Sequence, residues 1–324
     1  MTISLSRATQ PTAFEPLNQV RSHVSEMFDY RDFQQVFPAG SALPYDRELL
    51  SEIEGSRKAF DGLLFIDRVI KALGFSKGKS YPPKTDNALR QLHHQICEAS
   101  MALHYKLSLL YYILLDFDRT STRAVVSEDF ASNSGLPKSY QILMKGLWQL
   151  DQQEFEDALE YIAYPSLIPD FADDIITALV RNGEEQLALS YYYTVQPILS
   201  TSTALELLFE AMARNDAIEA LFFSRTQPEY IRETLFQRLI SLALGDNQNA
   251  GMEDVAFLPF TAEEEAWFEE YLLHGDGKNI KKSNDTLLVR KIADNRFDEI
   301  KEMRGKSGSW GPILEGIRQG TDGQ

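Results

Sequence analysis

The chain has 324 residues, of which 44% are hydrophobic and 25% are charged, and this globular composition excludes a wholly disordered protein. Its formal net charge of −16 argues against binding nucleic acid or an anionic membrane through the bulk of the surface, because both depend on attraction between opposite charges. The single cysteine, Cys97, excludes an internal disulfide, and no apolar stretch is long enough to span a membrane. We therefore expect a nuclear or cytosolic protein of one large or two smaller domains.

The first strong helical pattern covers residues 46–73, where apolar residues recur every three or four positions. Asp46 is suited to cap the start of this helix, and Gly74 follows its last apolar residue. A loop rich in glycine and proline is predicted over residues 76–85, followed by a second helix that ends at residue 115. The second half of that helix is apolar on nearly all sides, which predicts burial on most sides. No run of alternating strand residues is present.

Three similar blocks follow, over residues 151–167, 183–199 and 215–231. Each begins with acidic residues and continues through a small and apolar run to aromatic residues and a proline. The prolines stand at 165, 197 and 228, and inner alanines stand at 158, 188 and 220. Further helical patterns lie between the blocks. A period near 31 residues with two helices in each period predicts an all-α, helix-pair α-solenoid, because one helical hairpin cannot bury both of its apolar faces alone.

The C-terminal part begins with a polar, glycine-bearing linker over residues 245–257. The next predicted helix covers residues 261–273 and starts with a capping box formed by Thr261 and Glu264. Residues 274–283 are expected to be flexible, and residues 287–303 to form one further hairpin. Four parts are predicted: an N-terminal, partly helical extension (1–44), an α-solenoid domain (45–245), a C-terminal helical extension (246–304) and a flexible tail (305–324).

Several ordered motifs lie in the middle of the chain. They are LSLLYYILLDF at 107–117, LPKSYQILMKGLWQLD at 136–151, FEDALEYIAYPSLIPDF at 155–171, LALSYYYTVQP at 187–197 and ALFFSRTQP at 220–228. Together they resemble the ELYS helical domain of nuclear pore complex assembly proteins, over roughly residues 45–245. The residues that carry these motifs and are expected to be structural are Trp148, Asp151, Phe155, Pro165, Tyr191, Pro197 and Arg225.

The resemblance implies a scaffold nucleoporin that joins the Y-shaped outer-ring complex of the nuclear pore at the nuclear envelope. As partners it implies a propeller–solenoid nucleoporin and a small β-propeller nucleoporin on one short arm of the Y. The animal members of the family add an N-terminal β-propeller and a C-terminal tail with AT-hooks. This sequence has about 45 residues before the helical domain and no Arg-Gly-Arg-Pro core, so we expect a short form similar to the fungal members.

His93 and Cys97 lie on one helix face, four residues apart, which is a spacing that can hold a metal ion. A structural zinc site needs four ligands, however, and the chain has no second cysteine. No phosphate-binding glycine loop and no dinucleotide-binding fingerprint is present. We therefore expect no metal site and no cofactor.

An enzyme would require titratable groups that converge in one cleft, and the candidates are Asp116, Asp173, His93 and His104. No nucleophile motif accompanies them. Asp118 is better suited to open a loop, and Asp173 and Asp174 suit a helix N-terminus, where the helix dipole favours negative charge. The sequence therefore predicts a protein without catalytic activity.

Large apolar residues beyond the repeats are candidates for binding a partner. They are Trp267, Phe268 and Tyr271 in the helix after the linker and Trp310 in the glycine-rich tail. The alternative is that they pack back on the last repeat. A second functional hypothesis is a chromatin adaptor that binds DNA weakly through the tail from Lys278 to Lys306, although the overall negative charge makes DNA binding unfavourable.

Overall fold

The computed structural model describes residues 28–37, 43–74, 81–120, 125–245, 255–296 and 299–300. Within these ranges it contains fifteen α-helices, two short 3₁₀-helices and no β-strand. The all-α prediction is therefore confirmed. No helix in the described ranges is both long enough and apolar enough to cross a bilayer.

Seven helices form the first half of the molecule. They are α1 (Phe33–Val36), α2 (Arg47–Ala59), α3 (Phe65–Ala72), α4 (Asp86–Glu98), α5 (Leu103–Thr120), α6 (Val126–Ser134) and α7 (Lys138–Asp151). Asp46 caps α2 as predicted, because its carboxylate accepts a hydrogen bond from the amide of Leu49 at 2.8 Å. Helix α5 packs against α4, α6 and α7, and every residue from Leu107 to Phe117 is buried, which confirms the burial predicted for this stretch.

Two helices that were predicted as continuous are each broken. The first ends at Ala59, and α3 starts only at Phe65, because Asp61 and Gly62 adopt left-handed backbone angles (φ of 56° and 87°) and reverse the chain. The turn lets the Phe60 and Phe65 rings meet in the core, with their centroids 5.7 Å apart. The periodicity of the apolar residues continues through this turn, so the sequence pattern alone does not show that the helix is broken.

The second predicted helix is divided into α4 and α5. Ala99 ends α4 in extended backbone, and α5 begins at Leu103. The Lys106 ammonium group then reaches back and donates a hydrogen bond to the Cys97 carbonyl at 2.6 Å. This contact satisfies one of the carbonyls that the end of α4 leaves without a helical partner.

The repeats form six helices. They are α8 (Phe155–Ile162), α9 (Ala172–Arg181), α10 (Glu185–Val195), α11 (Ser202–Asn215), α12 (Ala217–Thr226) and α13 (Glu229–Leu244). Each predicted block supplies one helix (α8, α10 and α12), and its inner alanine is fully buried, at positions Ala158, Ala188 and Ala220. Helices α9, α11 and α13 pack side by side and pair with α10 and α12. The predicted helix-pair solenoid is thus confirmed.

The C-terminal extension contains a 3₁₀-helix (Val255–Phe257), α14 (Ala262–Leu273), a second 3₁₀-helix (Asp276–Asn279) and α15 (Ser283–Ala293). The predicted capping box is present: Thr261 Oγ1 accepts from the Glu264 amide at 3.3 Å, and Glu264 accepts from the Thr261 amide at 2.7 Å. The segment expected to be flexible instead forms the second 3₁₀-helix. There, a Cβ atom on Gly277 would lie 2.6 Å from the ring of Tyr271.

Candidate functional site

A buried carboxylate lies at the centre of the first half of the molecule. Asp116, on α5, is fully buried and accepts three hydrogen bonds, from the Tyr45 hydroxyl (2.7 Å), the Tyr81 hydroxyl (2.8 Å) and the Trp148 indole nitrogen (2.8 Å). Burial raises the pKa of Asp116 to about 6, although these hydrogen bonds oppose the shift. The carboxylate therefore joins α5 and α7 to two loop tyrosines.

A second buried carboxylate, Asp151, ends α7. It accepts hydrogen bonds from the amides of Phe65 (2.7 Å) and Ile66 (3.0 Å) and from the Tyr112 hydroxyl (2.6 Å). The two amides belong to the first turn of α3, where a helix has no internal acceptors, so Asp151 caps α3 from a position 85 residues away from Ile66. Burial raises the pKa of Asp151 to about 7.

These contacts form two hydrogen-bonded groups that meet where the Tyr81 and Tyr112 rings lie 5.6 Å apart, and we call them together the Asp–Tyr network. Its members are Tyr45, Tyr81, Tyr112, Asp116, Trp148 and Asp151. Burial raises the pKa of all three tyrosines well above the usual value, so their hydroxyls stay protonated and act as donors. Because both carboxylates receive donors from the chain itself, the network serves to fix the fold.

The residues that an enzyme would need do not converge. Asp173 accepts hydrogen bonds from the amides of Ser200 and Thr201 in the turn before α11, at 2.9 and 2.7 Å. His104 stacks against the Tyr140 ring with centroids 4.8 Å apart, whereas Asp116 lies in the Asp–Tyr network. The four candidates therefore occupy separate environments, and each has a structural role where it lies.

His93 and Cys97 approach the same backbone carbonyl. The His93 Nε2 atom lies 2.9 Å from the oxygen of Tyr30, and the Cys97 sulfur lies 3.8 Å from it. Burial lowers the pKa of His93 and raises the pKa of the Cys97 thiol, so both groups are neutral at physiological pH. In the described ranges no three His, Cys, Asp or Glu side chains lie close enough together to hold a metal ion.

The aromatic residues considered as partner anchors pack back onto the chain. Phe268 is fully buried and its ring lies 5.3 Å from that of Phe260, and the half-buried Trp267 contacts Phe236 of α13 at 5.9 Å. Tyr271 is buried against the second 3₁₀-helix. Trp267 therefore contacts the last repeat, whereas the contacts given for Phe268 and Tyr271 lie within the C-terminal extension. Trp310 lies outside the described residues.

Arg225, one of the family-motif residues, connects the last repeat to the C-terminal extension. Its guanidinium donates to both carboxylate oxygens of Glu264 (2.8 and 2.7 Å) and to the Pro259 carbonyl (2.6 Å). Burial opposes ionisation of Glu264, but the hydrogen bonds from Arg225 and Thr261 outweigh it and lower the pKa of Glu264. The pair therefore locks α14 onto α12.

The remaining motif residues lie in the repeats. Phe155 packs edge to face against Phe60, with ring centroids 6.3 Å apart, and Tyr191 is fully buried in the core. Pro197 is buried in the turn after α10, whereas Pro165 is exposed in the turn after α8. The motif thus contains both core residues and turn residues.

The basic residues near the C-terminus have two different environments. Arg290 and Lys291 are buried, and they form ion pairs with Glu265 (2.6 Å) and Glu269 (2.9 Å). Lysines 278, 281 and 282 are exposed. Part of the positive charge near α15 is therefore neutralised by ion pairs within the chain. Lys306, at the end of the tail considered for DNA binding, lies outside the described residues.

The repeats have a strongly acidic surface. Residues 151–245 contain sixteen acidic residues, five arginines and no lysine. Four of the arginines form ion pairs within the chain: Arg181 with Asp61, Arg214 with Glu185 and Glu210, Arg225 with Glu264, and Arg238 with Glu210. Most of the acidic side chains on α8, such as Glu156 and Glu160, are exposed and without an ion pair to any described residue. The repeats therefore present a strongly negative surface potential.

The three tyrosines of the Asp–Tyr network were missed by the sequence analysis. Their partners lie 35 to 71 residues away along the chain, so no local pattern identifies them. The one sequence feature that points to this network is Asp116, a carboxylate within the largely apolar stretch of α5. A charged group at such a position must be hydrogen-bonded, because burying it without partners is costly.

Comparison with known proteins identifies one family. The family model for ELYS, described as nuclear pore complex assembly, matches residues 63–275, which extend from just before α3 to just after α14. The "Uncharacterized protein ely5" of Schizosaccharomyces pombe is 27% identical over 268 residues, which cover 82% of this chain and 86% of that protein.

Two vertebrate proteins match over a shorter share of their length. Human "Protein ELYS" is 26% identical over 203 residues, or 59% of this chain, and "Protein ELYS" of Xenopus laevis is 22% identical over 263 residues, or 76% of this chain. The aligned residues make up 8% of the human protein and 10% of the frog protein. The similarity thus concerns a small part of the vertebrate proteins and most of the fission yeast protein.

Proposed function

The chain belongs to the ELYS family of nuclear pore complex assembly proteins, and from this premise we propose that it is a structural nucleoporin. In this role it docks on the Y-shaped outer-ring complex at the nuclear envelope and supports pore assembly without catalysing a reaction. The observation that carries the proposal is the family match, because it covers the solenoid and the Arg225–Glu264 pair that joins the solenoid to the C-terminal extension.

The architecture supports an interaction role. Stacked helix pairs give a long lateral surface, and in the described ranges the helices of each repeat pack against those of the next. The fully buried inner alanines let the repeat helices pack closely, so the lateral surface is preorganised and less conformational entropy is lost on binding. The unpaired acidic side chains of the repeats favour partners with basic surfaces.

For the partners, we propose the short arm of the Y, with its propeller–solenoid nucleoporin and its small β-propeller nucleoporin. The support is the family resemblance of the motifs between residues 107 and 228. A nuclear location at the pore follows from the same proposal.

The test is affinity purification of the tagged chain from nuclear envelopes, followed by quantitative mass spectrometry. We expect outer-ring nucleoporins to co-purify, with the two short-arm proteins most enriched. Matched controls are the tag alone and a tagged soluble nuclear protein of similar negative charge. Enrichment of the outer-ring proteins no greater than in these controls would overturn the proposed function.

A further inference from the structure

The segments that follow the repeat prolines carry unusually exposed apolar side chains: Ile168 and Ile198 lie in turns, and Tyr230 lies in the first turn of α13. Ile198 is 91% exposed, Tyr230 is 83% exposed and Ile168 is 75% exposed, and these are the three most exposed large apolar side chains in the described ranges. Each lies one to three residues after a repeat proline. Single exposed apolar residues are common, but here three of them each follow a repeat proline within three residues, so they recur along the repeats.

The three turns lie along one edge of the solenoid. Asp173, at the start of α9, accepts hydrogen bonds from the amides of Ser200 and Thr201, so the turn before α9 lies beside the turn before α11. The rings of Tyr192 in α10 and Phe223 in α12 lie 6.0 Å apart, near the C-terminal ends of both helices. The turn after α12, which leads directly into Tyr230 at the start of α13, therefore lies at the same edge, and we call Ile168, Ile198 and Tyr230 the proline-turn edge.

The charge around this edge is negative. Asp170 follows Ile168 by two residues, and Glu229 and Glu233 flank Tyr230; all three carboxylates are exposed. The nearest basic residue in sequence, Arg232, is half-buried and donates to the carbonyl of Gln227 at 2.7 Å. A ligand at this edge must therefore combine apolar groups with positive charge.

We propose that the proline-turn edge docks a basic segment of a partner protein that carries apolar side chains. Packed helices lie about 8–10 Å apart, so the three turns are spread over about 20 Å. An α-helix of about 14 residues covers that length. Nucleic acid and anionic membrane are repelled by the carboxylates, and so is a second copy of this chain, because it carries the same charge of −16. The inference deepens the proposed function and rests on it, since it identifies the surface used for docking.

The first experiment identifies what covers the edge in cells. The full-length chain carries the photo-crosslinking amino acid p-benzoylphenylalanine in place of Ile198, and a matched control carries it in place of Val125, which is 50% exposed at the start of α6. After irradiation, the crosslinked peptides are sequenced by mass spectrometry. We expect crosslinks at position 198, and not at position 125, to a segment rich in Lys or Arg with interspersed apolar residues.

The outcomes separate the edge from the proposed function. A crosslink to a basic, apolar segment of an outer-ring nucleoporin supports both, whereas the same kind of segment in a protein outside the pore supports the edge and contradicts the proposed function. Crosslinks to an acidic segment, to a second copy of this chain or to its own residues 301–324 overturn the inference. So does crosslinking at position 198 no stronger than at position 125.

The second experiment measures affinity with the purified Y-shaped outer-ring complex as the probe. A triple variant, Ile168→Ser, Ile198→Ser and Tyr230→Ser, is compared with a control triple variant, Leu103→Ser, Val125→Ser and Phe257→Ser, whose side chains are also exposed but lie outside the repeats. We expect the edge variant to bind at least about tenfold more weakly and the control to change less than about twofold. Equal affinity of the edge variant and the unmodified chain would overturn the inference while leaving the proposed function in place.

Discussion

The first half of the molecule and the repeats place their charged groups in opposite ways. In the first half, two carboxylates are buried and join residues that lie 35 to 86 positions apart in sequence. Within the repeats, ion pairs connect neighbouring helices over 28 or 29 positions, as in Arg214 with Glu185, while Arg181 and Arg225 pair with residues on either side of the repeats, and most acidic side chains face solvent. The first half is therefore a single non-repeating core, whereas the repeats form a stack with a charged exterior.

This difference is compatible with the proposed docking role, because one region is rigid and the other has an outer surface that a partner can reach. Buried polar groups that are fully hydrogen-bonded specify one arrangement of the surrounding helices, but they contribute nothing to a partner. The repeats need only small inner residues such as Ala188 and Ala220 to stack closely. Their outer positions are therefore free to carry the acidic and apolar side chains that we propose for docking.

The largest expected effect comes from removing a buried carboxylate. Asp151→Ala leaves the amides of Phe65 and Ile66 and the Tyr112 hydroxyl without an acceptor, so we expect the free energy of unfolding to fall by about 4 kcal/mol. Asp173→Ala, which removes a more exposed acceptor from a turn in the repeats, should lower it by about 1 kcal/mol. Urea unfolding followed by circular dichroism measures both, and equal losses would contradict the contrast between the two halves.

The second prediction concerns pH. Because burial raises the pKa of Asp151 to about 7, above its value in the unfolded chain, folding favours the protonated form, and this stabilisation is lost as the pH rises through 7. Lowering the pH from 7.5 to 5 should therefore stabilise the unmodified chain by about 2 kcal/mol relative to Asp151→Asn, which does not titrate. Unfolding curves at a series of pH values test this, and parallel stabilities of the two proteins would argue against it.

The third prediction compares two glycines in helices. Helix α7 lies so close to α8 that a Cβ atom on Gly146 would be 2.7 Å from the Ile162 side chain and 3.2 Å from its amide nitrogen. Gly146→Ala should therefore destabilise the fold by about 1–2 kcal/mol. Nothing lies within 4 Å of a Cβ on Gly55 in α2, so Gly55→Ala should stabilise it by about 0.5–1 kcal/mol. Thermal unfolding gives the sign of both changes, and a stabilising Gly146→Ala would be incompatible with this packing.

The smallest effect is expected at the proline-turn edge. Ile198→Ser and Tyr230→Ser replace side chains that are almost fully exposed, so each should change the free energy of unfolding by less than about 0.5 kcal/mol. The same denaturation assay applies. A loss of 2 kcal/mol would show that these residues support the fold, and the apolar edge would then have a structural explanation.

Local sequence signals predicted the helices and several of their ends. The capping box of Thr261 and Glu264 and the N-cap at Asp46 are present because both depend on residues a few positions apart. The spacing of the inner alanines predicted that the repeats stack, because each alanine lies at the same position in its helix.

Long-range contacts could not be predicted in this way. The break before α3 is stabilised by Asp151, which lies more than eighty residues later in the chain. The helical pattern of α14 does not show which of its aromatic side chains face α13, so the burial of Phe268 also required the tertiary structure. The exposure of the residues at the proline-turn edge also depends on tertiary packing, which the spacing of the prolines does not specify.

Amide hydrogen exchange of the full chain, with and without the purified Y-shaped outer-ring complex, tests the central claim most directly. If the repeats dock through the proline-turn edge, exchange should slow at residues 166–171, 198–202 and 229–232, and exchange in α2 to α5 should remain unchanged. Protection confined to the first half of the molecule, or no protection at the three turns, would contradict the account.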